Sequence, residues 1–434
     1  MAIQPWTMIP FVIMLLLIAV APLAFPHKWE SNKVKLVATL AIAVPTAIYL
    51  ICAGLGLNLE HQLLFDYVPF IILLATLYVV TGGICVRGDI KATPLVNTAV
   101  LALGFGLASF VGTTGAAMLC IRPLLSINSQ RQFRTHTVLF FIALVANCGG
   151  VLTPLGDPPL FMLYLRGASF TWFFSLVAMW AFVGAVLLVL YYILDSFYYR
   201  KESREAIARD NAEIEPIEVE GSFNIVYLIL TVLAVVFLNQ SYIPAMAEEH
   251  CPLYIKFIRE IVLCVIMAAS LLTTRKAVRY DHNNFTWGPI AEVAILFVGI
   301  FTTMVPALLY LSANAGSLGL TEPWQFYYST GLLSSFLDNT PTAVAFHSVA
   351  TGMDWSALEG VNFVAGIPEP YLKAIALGAV FFGAMTYIGN GPNFMVKAIA
   401  ESENIKMPGF FGYMIKFSLI VLLPVYIITQ LIFI

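Results

Sequence analysis

Long apolar runs almost free of charge recur along the chain, and nothing constrains its fold more. A helical span needs about 20 consecutive apolar residues. Runs near 8–25, 34–56, 66–86, 94–126, 136–165, 170–198, 222–240, 254–274, 287–311, 325–350, 370–401 and 408–432 approach or exceed that length. Apolar side chains make up 60% of the 434 residues and charged ones 11%, against about 45–50% and 25% in soluble domains. Disordered, collagenous and disulfide-rich secreted classes are thereby excluded, and the balance of 22 basic to 25 acidic residues offers no basic face for nucleic acid. The six cysteines stand singly, without metal-ligand spacing, and no resident cofactor is expected.

Charge in the short loops sets the expected topology. Lys28, Lys33 and Lys35, Arg87 and Lys91, Arg131 and Arg134, Arg200 to Arg209, and Arg275 to Arg279 mark cytoplasmic loops. The loops on both sides of 94–126 are basic, so that run must enter and return as a re-entrant hairpin bending near Gly112-Thr113-Thr114-Gly115. By the same alternation 325–350 is a second hairpin, entering from outside. The expected fold is an all-α polytopic membrane protein of ten spans and two opposed hairpins, a multi-pass plasma membrane protein of the bacterial inner membrane with both termini outside. The polar stretch 199–221 reads as a solvated cytoplasmic linker between a first half, 1–198, and a second, 222–434.

The halves repeat. ASFVGTTGAA (108–117) aligns with SSFLDNTPTA (334–343), and GVLTPLGDPPLFM (150–162) with GAMTYIGNGPNFM (383–395). With five spans and one hairpin each, the halves have opposite orientations. Inverted repeats whose hydrophobic segments are interrupted by Gly and Pro at matching positions point to a secondary transporter's binding site. Gly-Asp-Pro-Pro and Gly-Asn-Gly-Pro cannot continue a helix, so 136–165 and 370–401 are interrupted helices. Broken backbone at membrane depth must line a cavity or be buried in protein.

The candidate substrate or ion site therefore comprises Thr113, Thr114, Asp338, Asn339 and Thr340 at the hairpin bends, with Asn147, Thr153, Asp157, Thr386, Asn390 and Asn393 at the breaks. Asp338 is the leading carboxylate, because a charge near the bilayer centre is costly and functional by default; its bland alternative is a helix cap. Asp157 stands evenly between function and a turn. Glu292 lies near the interface, Glu260 beside Arg259, and His347 reads as a packing residue.

VANCGGVLTPLGDPP, SSFLDNTPTA and GAMTYIGNGPN resemble the ion transporter superfamily, most closely the NhaD-type sodium/proton antiporters and the related citrate and arsenite transporter families. The resemblance implies a dimerising scaffold and a transport unit of hairpins and interrupted helices that moves in an elevator-like cycle. The Gly-Thr-Thr and Asp-Asn-Thr tips differ from the Ser-Asn-Thr of the divalent-anion branch.

No Lys or Arg lies in the bends or breaks; Arg122, Arg166 and Lys397 are nearest. A carboxylate substrate would need positive charge or half-helix N-termini, whereas hydroxyls, amides and carboxylates suit a hard cation. The expected function is sodium/proton exchange, with sodium held by Asp338, Asp157 and Thr340 in competition with a proton. The alternative is sodium- or proton-coupled transport of citrate or another di- or tricarboxylate. An intramembrane protease is disfavoured, as Asp157 follows Pro-Leu-Gly and HExxH is absent, so no enzyme is expected. The expected partners are lipid, a small cation and proton, a carboxylate in the alternative reading, and a second copy of the chain.

Overall fold

The computed structural model describes residues 4–434 except 213, 249, 357 and 359. The chain is an all-α polytopic membrane protein, 75% helical. Its first part supplies α1 (Ile9–Ala24), α2 (Asn32–Cys52) and α3 (Val68–Thr81), followed by a short strand, β1 (Cys85–Asp89). Next come α4 (Pro94–Val111) and α5 (Thr113–Ile127), packed against each other as a hairpin. Thr93 caps α4 by accepting from the Val96 N–H, with Pro94 at the first helical position, where its missing N–H costs nothing. Gly112 links the two helices at φ 81°, a left-handed conformation open to glycine and strained for other residues.

The first interrupted helix is α6 (Thr135–Leu144) and α7 (Pro158–Leu165), separated by irregular backbone through Gly149, Gly150 and Gly156. A long α8 (Val177–Tyr199) and strand β2 (Glu215–Glu220) follow. The second part runs through α9 (Asn224–Phe237), α10 (Ile258–Thr273) and α11 (Gly288–Ala313) to a hairpin of α12 (Pro323–Ser334) and α13 (Asn339–Thr351). Its interrupted helix is α14 (Glu369–Phe382) with α15 (Gly391–Ser402), and α16 (Leu423–Phe433) ends the chain. Buried aromatic side chains such as Phe140, Phe161, Phe301 and Phe326 join the elements in one apolar core. Val37, Val265, Leu272 and Leu431 lie exposed on the outer face, as side chains in contact with lipid would.

Among the described residues eight helices are long and apolar enough to cross a membrane, against ten expected. One of the eight is α4, an arm of the hairpin. Three expected crossings fall short as single helices. α9 has 14 residues, about 21 Å at 1.5 Å per residue, and α10 has 16. The run 370–401 divides at Gly383–Asn390, where glycines replace the helical ladder.

The loops bearing Lys and Arg meet at one end of the molecule. Lys35 pairs with Glu292 at 2.7 Å, β1 pairs antiparallel with β2, His282 reaches Glu220 at 2.6 Å, and Thr135 Oγ1 donates to the Lys406 carbonyl at 3.2 Å. Both ends of the first hairpin lie there too, since Asn97 and Asn128 exchange amide hydrogen bonds of 2.8 and 2.9 Å.

The stretch 199–221 is exposed along most of its described length and is held in place at two buried acids, Glu202 and Asp210. Charge pattern registers mixed signs but not unpaired backbone donors, and its acids answer such donors in neighbouring loops. Glu202 accepts from the Gln132 and Phe133 N–H groups at 3.0 Å each, and Asp210 from that of Ala92 at 3.1 Å. Burial pushes the Asp210 carboxyl up from its ordinary value, opposed by that N–H.

Candidate functional site

The two hairpin tips and the two helix breaks converge on one carboxylate. Asp157 is the N-cap of α7, in extended backbone because prolines follow it, and it is 1% exposed. Thr113, the first residue of α5, donates its hydroxyl to Asp157 Oδ1 at 2.7 Å. Asn339, the first residue of α13, donates its amide to Oδ2 at 2.9 Å. Asn390, the N-cap of α15, approaches Oδ1 at 3.2 Å.

The remaining amides extend this centre into a network. Asn390 Nδ2 also lies 3.2 Å from Asn147 Oδ1 and 3.1 Å from the Ala146 carbonyl. Asn147 donates to Asn393 Oδ1 at 2.7 Å, and Asn393 donates to the Gly383 and Thr386 carbonyls at 2.8 and 2.9 Å. Thr153 and Thr386 act one step back. Each donates its hydroxyl to a hairpin carbonyl, that of Ser109 and that of Ser335, and each accepts the N–H two residues on, at 3.1 and 3.2 Å. These are aligned positions of the two repeats, and the contact is the same in both.

Asp338 stands apart. Its carboxylate accepts from the Thr340 N–H at 2.9 Å, capping α13, and no hydrogen bond joins it to the Asp157 network among the described residues. Asp157, weighed evenly from sequence, is instead where the four elements meet. Thr340 Oγ1 is buried beside the Asp338 carboxylate without a well-formed hydrogen bond, and Thr114 is half-buried. Ser334 lay outside the expected set, yet its hydroxyl is 2.5 Å from Asn339 Oδ1; the only sequence signal was its place beside Ser335 in the repeat. Glu292 is engaged by Lys35, Glu260 by Arg259 Nε at 2.8 Å, and His347 Nε2 by the Ala365 carbonyl at 2.9 Å.

Two physical properties follow. Each helix N-terminus carries about half a positive charge in free N–H groups, and four such ends, of α5, α7, α13 and α15, surround Asp157. The centre combines one fixed carboxylate with a positive field able to receive another anionic group. For a cation the available ligands are hydroxyl, amide and carbonyl oxygens beside that carboxylate, since no cluster of three His, Cys, Asp or Glu side chains forms among the described residues.

Spans, broken helices and a buried polar centre together define a membrane transporter. Across residues 1–434 the chain matches the family described as putative citrate transport, and it belongs to that family. No curated protein sequence matches it.

Proposed function

We propose that this protein transports citrate or another di- or tricarboxylate, coupled to the movement of sodium or protons. The observation that carries the reading is the convergence of four helix N-termini on Asp157. They supply the positive potential that the bends and breaks lack in Lys or Arg, which removes the sequence-level objection to an anionic substrate. The family's description favours the same reading over sodium/proton exchange.

In this scheme a substrate carboxylate takes those N–H groups at the tips of α5 and α13 that the Gly156 carbonyl and the Asp338 carboxylate leave open. The coupling cation, or a proton, offsets the added negative charge beside Asp157, with Thr340 Oγ1 as a neutral ligand. A loaded site close to electroneutral lowers the cost of passing the apolar barrier. The hairpins and interrupted helices carry it as a unit against the other spans, an elevator-type movement between two inverted halves, with a second copy holding the scaffold in place.

The test is uptake of labelled citrate into proteoliposomes under an imposed sodium or pH gradient. Gradient-driven accumulation that the Asp157→Asn variant abolishes is the expected result. A sodium gradient that dissipates a preset pH gradient with no citrate taken up would establish exchange instead and overturn the proposal.

A further inference from the structure

At the end of the molecule opposite the basic loops lies a cavity of about 470 Å³, bordered by Asn58, His61, Gln62, Asp66, Arg166 and His347. Two of its walls belong to the helices that hold the central network. α7 runs from Asp157 to Arg166, its C-cap, and α13 runs from Asn339 past His347. These two helices pack side by side, so the cavity sits one short helix, about 12–13 Å at 1.5 Å per residue, from the Asp157 centre.

Its lining is short of partners in a way that apolar packing does not explain. The Arg166 guanidinium makes no hydrogen bond among the described residues. Asp66 Oδ2 approaches its Nη2 only to 3.6 Å, and its Nε is buried without a partner. Gln62, 7% exposed, has its amide beside the Asp66 carboxylate without a well-formed hydrogen bond, and His347, 3% exposed, leaves Nδ1 unbonded. Buried polar groups are nearly always satisfied, so three unmet ones around one cavity call for an explanation. A carboxylate fits the donors, because guanidinium binds it through a planar fork and an amide N–H adds to that. His347 Nε2 faces the Ala365 carbonyl and so carries the hydrogen, which leaves Nδ1 to accept from a hydroxyl. The titratable groups facing Arg166 here are Asp66, His61 and His347. Asp66 is the acid among them, and its loose approach is one that a substrate carboxylate with direct hydrogen bonds can displace.

We propose that this cavity is an entry site that holds a small hydroxylated di- or tricarboxylate by one carboxylate on Arg166 before it reaches Asp157. The proposal rests on the carboxylate reading above, and its test separates the two. Ser312 also lines the cavity. In the full-length Ser312→Cys protein in proteoliposomes, citrate is expected to slow reaction with a membrane-impermeant thiol reagent at least tenfold. Arg166→Gln removes that protection, Arg166→Lys retains part of it, and Asp66→Asn brings it on at lower citrate. In uptake, Arg166→Gln raises the KM for citrate about tenfold with little change in maximal rate. Protection that persists undiminished in Arg166→Gln, or an unchanged KM, overturns the entry site even where citrate is transported. Arg166-dependent protection without any citrate uptake upholds the site and overturns the transport reading.

Discussion

Asp157 and Asp338 are each the N-cap of a helix that starts inside an apolar run, Asp157 at a helix break and Asp338 at a hairpin bend, and differ in what answers them. Asp338 accepts one backbone N–H and caps a helix, a role worth ~1 kcal/mol that Asn fills nearly as well. Asp157 faces three donors, and an Asn there would turn its own N–H₂ towards at least one of them. Facing donors leave buried groups unsatisfied at ~1–3 kcal/mol each, so Asp157→Asn should lower citrate uptake about 100-fold or more at 1.36 kcal/mol per factor of ten. Asp338→Asn should keep uptake within about tenfold on the same scale; the opposite order would return Asp338 to the centre. Gly383 gives a second test of the network. A Cβ there would come 2.5 Å from Asn339 Oδ1 and 2.9 Å from Asn147 Oδ1, whereas one at Gly391 meets nothing within 4 Å. Gly383→Ala should therefore displace the Asn339 amide and suppress uptake, while Gly391→Ala is tolerated, as measured in paired proteoliposome assays. The residue types of the site were legible in the sequence because Gly, Pro, Asn and Thr inside apolar runs have few other uses. Their meeting point was not, because Asn339 and Asp157 are 182 residues apart, and no local pattern reports a contact made across the fold.

At the scale of elements, apolar length located the helices but misjudged some of their extents. α9 and the two pieces of 370–401 are shorter than the apolar runs they fill, because composition does not register where the backbone leaves the helix, at Leu238 in the first case and from Gly383 in the second. The segment 199–221 taught the reverse. Its charges satisfy backbone N–H groups at the base of the first hairpin, beside a buried cluster in which Asp195 receives Arg131 at 2.7 Å and His136 at 2.8 Å. This anchoring has a measurable cost if removed. Glu202→Gln puts an amide N–H₂ against one of the Gln132 and Phe133 donors, losing a charged acceptor at ~1–3 kcal/mol. Thermal unfolding of the detergent-solubilised variant should begin about 1–3 °C lower, since an unfolding entropy of ~2.1 cal/mol/K per residue gives about 1 °C per kcal/mol for a chain of this length. An unchanged unfolding curve would mean that the stretch carries no load.

Across the whole molecule, the gathering of basic loops at one end turns the positive-inside rule into a geometric statement. The first hairpin starts and finishes at that end, while Arg166, Ser312 and Thr351 line a cavity at the other, so the two hairpins reach the Asp157 centre from opposite directions. A second cavity, of about 290 Å³, lies at the basic end against α5 and is lined by Arg87, Arg122 and Glu215. Each hairpin's second arm thus borders a cavity at its own end, and the polar network separates the two. That arrangement is what a carrier needs if its site is to face each side in turn without ever opening a continuous pore. If basic loops face the cytoplasm, a cysteine placed at Ser312 should react with an impermeant thiol reagent only from outside the cell. One placed at Arg122 should react only after the inner face is exposed in inverted vesicles. Labelling in the reverse sense would invert the molecule in the membrane and make the Arg166 cavity an exit rather than an entrance. Labelling of both positions from one side would contradict the separation of the cavities, and with it an alternating-access carrier built on this centre.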